Sequence, residues 1–164
     1  MLPRRLRNQR RHNVEKRVVV LDCIRSLHNV GAVFRTADAA GFSGLHLCGY
    51  TGTPPDRRIE KVSLGAEEWI EWQHWESTKE CLEYLKSEGF TVVALEQSNE
   101  SVDIFTHDFS PYNRVALVLG NEVEGVSDDI LQLVDIIAEI PMHGQKQSLN
   151  VSVAAGIAMY QLNQ

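Results

Sequence analysis

No apolar run in this 164-residue chain approaches the ~20 residues that a membrane-spanning helix needs. The N-terminus shows no hydrophobic stretch of the signal-peptide kind, and its Arg-rich opening is short and poor in Ser for a transit peptide. A cytoplasmic protein with no membrane partner is expected. Cysteine is scarce: Cys23, Cys48 and Cys81 stand too far apart for a CxxC zinc site and form no disulfide framework. Buried thiols in a reducing compartment fit better. The usual nucleotide signatures are missing, with neither GxGxxG after the first apolar run nor GxxxxGK[ST]. A dinucleotide-binding Rossmann domain and a P-loop NTPase are thereby disfavoured. No GxSxG elbow is present. His12, His28, His46, His74, His107 and His143 show no i, i+4 pairing, so no metal site is expected. Internal repeats, low-complexity tracts and interdomain linkers are lacking too, and the length suits one domain.

The charge is uneven. The formal net charge is −6, yet residues 1–17 hold seven basic side chains (Arg4, Arg5, Arg7, Arg10, Arg11, Lys16, Arg17) against Glu15 alone. That stretch therefore carries +6 and the remaining 147 residues carry −12. A basic arm (residues 1–17) ahead of an acidic domain (residues 18–164) is either a phosphate-seeking tail or a solvated terminus. The tail alone leaves both readings open.

Strand-like and helical patterns alternate along the rest. Strands are expected at Val18–Cys23, Leu45–Cys48, Phe90–Leu95, Arg114–Leu119 and Asp135–Ile140, with Trp69–Trp75 strand-like or irregular. Helices are expected at Asn29–Ala40 (begun by Asn29, ended by Gly41), Ile59–Ala66, Thr78–Ser87, Ser127–Val134 and Leu149–Leu162 (opened by Ser148). Residues 97–113 are polar apart from a patch at Val102–Phe105. The alternation predicts an α/β fold with a mostly parallel sheet covered by helices on both faces.

Three segments carry the chemistry. In Asn29–Arg35 (N-x-G-x-x-x-R), Gly31 and Arg35 stand one helical turn apart, with Asn29 at the mouth. The set could recognise phosphate, or be an N-cap beside a surface arginine. Leu119–Gly125 (L-G-N-E-x-x-G) reads as a buried strand breaking into a Gly turn that delivers Glu122. Ile140–Ala155 (I-P-M-x-G-x-x-x-S-L-N-V-S-V-A-A) reads as a strand end, a polar loop and a helix start. Glycines and polar groups just beyond two strand ends mark the place where open α/β sheets hold ligands.

In this order the three segments resemble the SpoU/TrmH family of RNA ribose 2′-O-methyltransferases, over about Val18 to the C-terminus. The third segment is long and specific. The resemblance implies a deep C-terminal trefoil knot, S-adenosylmethionine as cofactor, no metal, and an obligate homodimer with a composite RNA site. It implies that Leu119, Gly120, Ile140, Met142 and Leu149 hold the cofactor, the knot contributing mainly backbone groups. It further implies that Arg35 is the catalytic arginine, with Asn29, Glu122, Ser148 and Asn150 completing the site. Such a protein aligns a 2′-hydroxyl with an activated methyl group. Arg35 would then be either the proton acceptor or an anchor for the adjacent phosphate. Transfer RNA is favoured over ribosomal RNA for so compact a dimer. The alternatives are a non-catalytic RNA-binding protein retaining the fold, or a small-nucleotide α/β enzyme, the latter disfavoured by the missing phosphate loops.

Overall fold

In a computed structural model that describes residues 16–164, seven strands form one sheet in the order β3-β2-β1-β6-β4-β7-β5. They are β1 Lys16–Asp22, β2 Gly44–Cys48, β3 Glu71–Trp75, β4 Thr91–Leu95, β5 Val102–Asp103, β6 Arg114–Leu119 and β7 Ile136–Glu139. Each of the six pairings is parallel. The helices are α1 Leu27–Ala40, α2 Arg57–Ser63, α3 Thr78–Ser87, α4 Asp128–Leu131 and α5 Val151–Leu162, with a short 3-10 turn at Ala66–Glu68.

Burial follows the pleat. Successive strand side chains face opposite sides, and in β1 both sides are buried, which is why Val18–Leu21 reads as an unbroken apolar run. Val19 and Leu21 join Leu117 and Leu119 in a core sealed by α1, α5 and Ile59 of α2. Val18 and Val20 join Ala116 and Val118 in a second core sealed by Cys81, Leu82 and Leu85 of α3 and Ile130 of α4. The expected two-sided α/β sheet is what is found.

Several boundaries differ, each for a local reason. Helix α1 starts at Leu27, not Asn29, because the Ser26 hydroxyl accepts from the Asn29 amide at 3.2 Å and supplies the cap. It ends as expected at Gly41, whose left-handed φ of 80° few other residues accept. Helix α2 begins two residues early, at Arg57, because the Asp56 carboxylate caps it by accepting from Arg58 N at 2.8 Å. It stops at the left-handed pair Leu64 and Gly65. Helix α4 is a single turn where a longer helix was expected. Helix α5 is capped by Asn150, which accepts from Ser152 N at 2.9 Å, so Ser148 does not open it.

The first strand also begins two residues earlier than expected. Arg17 lies inside it and is buried, with Nε donating to Leu162 O at 3.1 Å and Nη1 to Asn113 O at 2.9 Å. It ties the end of α5 to the sheet instead of extending a solvated arm. The expected arm is otherwise residues 1–15, outside the described residues. Cys48 and Cys81 are buried and Cys23 is half-buried, all three unbridged. Among the described residues no helix is long and apolar enough to cross a membrane.

Candidate active site

Because all strands run one way, their C-terminal ends share one edge of the sheet. The loops leaving β1, β2, β4, β6 and β7 therefore meet there. Two of these loops, those after β1 and β6, join at Glu122, which leaves β6 on the Gly120–Gly125 turn. Its Oε2 accepts from Arg25 N at 2.9 Å; its Oε1 accepts from Ser26 N at 2.9 Å and from Asn29 Nδ2 at 3.1 Å. The carboxylate thus sits over the start of α1, where backbone N–H groups and the helix dipole favour negative charge. Partial burial pushes its pKa upward, but the donors on Arg25, Ser26 and Asn29 outweigh that and hold it below the ordinary carboxylate value.

Asn29 is buried and bridges two segments. Its Nδ2 serves Glu122, and its Oδ1 accepts from Asn150 Nδ2 at 3.4 Å, a long bond. Three of the five expected catalytic residues, from three distant parts of the chain, are thus brought into one hydrogen-bonded set. Arg35 and Ser148 are not. Both are exposed, and neither side chain bonds to any described residue.

The Gly120–Gly125 turn is rigid for reasons found in its neighbours. Asn121 is buried; its Oδ1 accepts from Val123 N at 2.9 Å and Glu124 N at 3.0 Å, while its Nδ2 donates to Cys23 O and Tyr50 Oη, both at 2.8 Å. Its backbone exchanges two hydrogen bonds with Gly125, at 3.1 and 2.9 Å. Glu96 at the end of β4 accepts from Val126 N at 3.0 Å. A Cβ on Gly120 would overlap the Gly125 carbonyl carbon and the Val126 nitrogen, so the turn closes only with glycine there. Gly31 has a packing role: its missing side chain lets α2 approach, since a Cβ would stand 2.5 Å from Ile59 O.

The five expected cofactor residues lie at the C-terminal end of β6 and in the segment between β7 and α5. Leu119 is buried in the core, leaving only its backbone for a ligand. Gly120 follows it. Ile140 and Met142 are half-buried, and Leu149 is 40% exposed. Among the described residues, the loop spanning residues 141–149 receives one hydrogen bond, from Gln97 Nε2 to Gln147 O at 2.7 Å. The backbone groups of Met142 and Leu149 have no partner among the described residues.

Sequence reasoning passed over Ser26, Asn121, Tyr50, Thr51 and Glu96. Thr51 Oγ1 accepts from Ile24 N at 3.0 Å and donates to Cys48 O at 2.7 Å, fixing the β1 and β2 loops together. Asn121 lay inside the L-G-N-E stretch and could have been found. The others carry no local pattern, because the partners that place them in the site (Asn121 for Tyr50, Ile24 for Thr51, Val126 for Glu96) are 27 to 71 residues away, except Ser26, an ordinary capping residue.

A model of the SpoU rRNA Methylase family matches residues 16–160. A tRNA (guanosine(18)-2′-O)-methyltransferase of Aquifex aeolicus is 36% identical over 166 residues, covering 98% of this chain and 76% of that protein. A protein of the same description from Thermus thermophilus is 33% identical, covering 96% of this chain and 79% of its own length. Among solved structures, an AdoMet-bound rRNA methyltransferase from Sinorhizobium meliloti superposes with a TM-score of 0.85 at 31% identity. That match covers 92% of this chain but 56% of the other, so this chain spans little more than half of that protein. A segment-by-segment likeness to the family is thus joined by a match over nearly all the described residues, and the chain belongs to the SpoU rRNA Methylase family.

Proposed function

We propose that this protein transfers a methyl group from S-adenosylmethionine to a ribose 2′-hydroxyl of RNA, with transfer RNA as the substrate class. The observation that carries this is the Asn29–Glu122–Asn150 set, assembled beside the Gly120 turn in a chain of this family. The Aquifex and Thermus relatives named as tRNA methyltransferases support transfer RNA, and the guanosine in their names is the first position to examine.

The residues fit the cofactor. Ile140, Met142 and Leu149 offer apolar surface for a flat adenine, while Met142 and Leu149 keep backbone groups unpaired for its polar edge. Gly120 and the Gly125 turn make a backbone wall in which a side chain would not fit. Among the described residues no three His, Cys, Asp or Glu side chains cluster as metal ligands. When bound, the sulfonium cofactor would supply an activated methyl group, its transfer to the 2′-oxygen leaving a neutral thioether and releasing the hydroxyl proton. The protein's part is alignment, which can supply roughly 7–11 kcal/mol. Glu122 locks the start of α1 and holds the Asn29 amide, and through Asn29 it sets Asn150. Arg35, on the same helix and without a partner among the described residues, presents donors only and anchors the phosphate beside the reacting ribose.

The finer architecture belongs to the same reading. We infer a deep trefoil knot at the C-terminus. In its support, α5 follows β7 near one side of the sheet yet returns to pack on α1, with Leu162 held by Arg17 of β1 and the 141–149 loop held by Gln97. We infer a homodimer formed through α5, where Val153 (52% exposed), Ile157 and Tyr160 (56% exposed) recur at i, i+4 and i+7 as an apolar stripe. The basic residues before Lys16 act as a separate arm that adds phosphate contacts. A cytoplasmic setting suits the substrate and the unbridged cysteines. Titration calorimetry with S-adenosylmethionine, with and without EDTA, tests the cofactor assignment. Binding should be undiminished by the chelator, and its absence, or a need for a divalent ion, would contradict the reading.

A further inference from the structure

A cavity beside the start of α1 has no role assigned so far. Between the first turn of α1 and helix α2 is a cleft of about 510 Å³ lined by Arg25, Leu27, His28, Arg58, Lys61 and Val62. Ligand sites commonly fall in the range of ~300–1,000 Å³. The lining combines a short apolar floor, Leu27 and Val62, with cationic walls. Arg58 is partly neutralised: its Nε and Nη2 donate to Asp56 at 3.1 and 2.9 Å. Arg25 and Lys61 are different. Both are exposed, and among the described residues neither side chain has a carboxylate partner. In a chain of net charge −6, two uncompensated cations on one cleft make a local positive field against an acidic background.

The cleft adjoins the candidate active site. Arg25 lines it with its side chain while its backbone N–H donates to Glu122, and His28 immediately precedes Asn29. We propose that this cleft is a phosphodiester subsite that holds the RNA backbone next to the ribose being methylated. The proposal rests on RNA being the substrate. The chemistry favours a strand over a single small anion. The cations sit on long flexible stems, with no glycine-rich nest of amides to fix one phosphate, which is how contacts that position a backbone without reading sequence are made.

The test uses the full-length protein and unfractionated transfer RNA, with binding measured over a series of KCl concentrations. Arg25→Ala/Lys61→Ala leaves two phosphates without their cations. The slope of log affinity against log salt should fall by ~1.4–1.8, so that a fourfold rise in salt costs the variant ~7- to 12-fold less affinity than it costs the wild type. Lys79→Ala, which removes one charge from an exposed pair with Glu83 on α3, should keep the wild-type slope. Lys61→Arg should keep it as well. Affinity for S-adenosylmethionine should be the same in all of them. A double variant with the wild-type slope overturns the subsite, as does a loss of cofactor affinity without a change in slope, which would indicate a structural role. A flattened slope in a protein whose wild type transfers no methyl group would support the subsite while contradicting the methyltransferase reading.

Discussion

Replacing Glu122 by Gln changes one atom at the point where three chain segments meet. The carboxylate accepts three hydrogen bonds, one on Oε2 from Arg25 N and two on Oε1 from Ser26 N and Asn29 Nδ2. Glutamine keeps the two on its oxygen and turns an amide N–H toward Arg25 N, where donor meets donor. A hydrogen bond to a charged group contributes ~1.5–3 kcal/mol when sheltered, and a charge at a helix N-terminus ~0.3–1 kcal/mol. Glu122 is largely exposed, so water replaces part of what is lost. About 1–2 kcal/mol remains, or roughly 2–8 °C in Tm for a domain of this size. The pH dependence has a definite sign. The folded carboxyl titrates below its ordinary 4.5, so its stabilisation is complete above that value and drains away as pH falls through the lower folded one. Glutamine does not titrate there. Urea unfolding at pH 7 should show the variant less stable with an unchanged m-value, and the gap should close in acid. Equal midpoints at pH 7, or a gap that persists undiminished at pH 3, would refute the role given to Glu122.

Gly120→Ala should destabilise the protein by ~1–3 kcal/mol through overlap with the Gly125–Val126 backbone, and calorimetry should show cofactor binding abolished. Asn150→Ala should cost ~0.5–2 kcal/mol through removal of the cap on α5, while Asn150→Asp, which keeps the cap, should recover most of that in thermal melts. Deleting residues 1–15, which leaves β1 whole, should weaken RNA binding and flatten its salt dependence by ~0.7–0.9 in log–log slope for each phosphate that the arm neutralises. An unchanged slope would show the arm to be only a solvated terminus.

The fold was readable where local patterning and burial agree. Val18–Leu21 and Val115–Leu119 are buried on both faces and look it, and Thr78–Ser87 has one apolar stripe with a cap at each end. Boundaries failed where a tertiary partner took over a side chain. Asn29 has the chemistry of a cap, but Glu122, 93 residues away, claims its amide and leaves the cap to Ser26. Arg17 counted as part of a basic arm because nothing nearby in sequence shows that Leu162 and Asn113 will accept its protons. The site was partly readable for the same reason. Asn29, Glu122 and Asn150 each lie in a recognisable stretch, and folding supplies only their meeting. The basic cleft was invisible, since Arg25, Arg58 and Lys61 belong to no motif and converge only when α2 closes on Gly31.

The central claim is methyl transfer to a ribose oxygen, and alkaline hydrolysis of the product tests it most directly. A 2′-O-methyl group removes the hydroxyl that cleaves the neighbouring phosphodiester, so each modified site survives as an alkali-resistant dinucleotide. Transfer RNA incubated with the protein and methyl-labelled S-adenosylmethionine should yield label in such dinucleotides. With Arg35→Ala the label should vanish while cofactor affinity stays nearly unchanged, because Arg35 is exposed and makes no bond that holds the cofactor loops. Label recovered in mononucleotides as a methylated base, or none from a protein that binds the cofactor normally, would contradict the account.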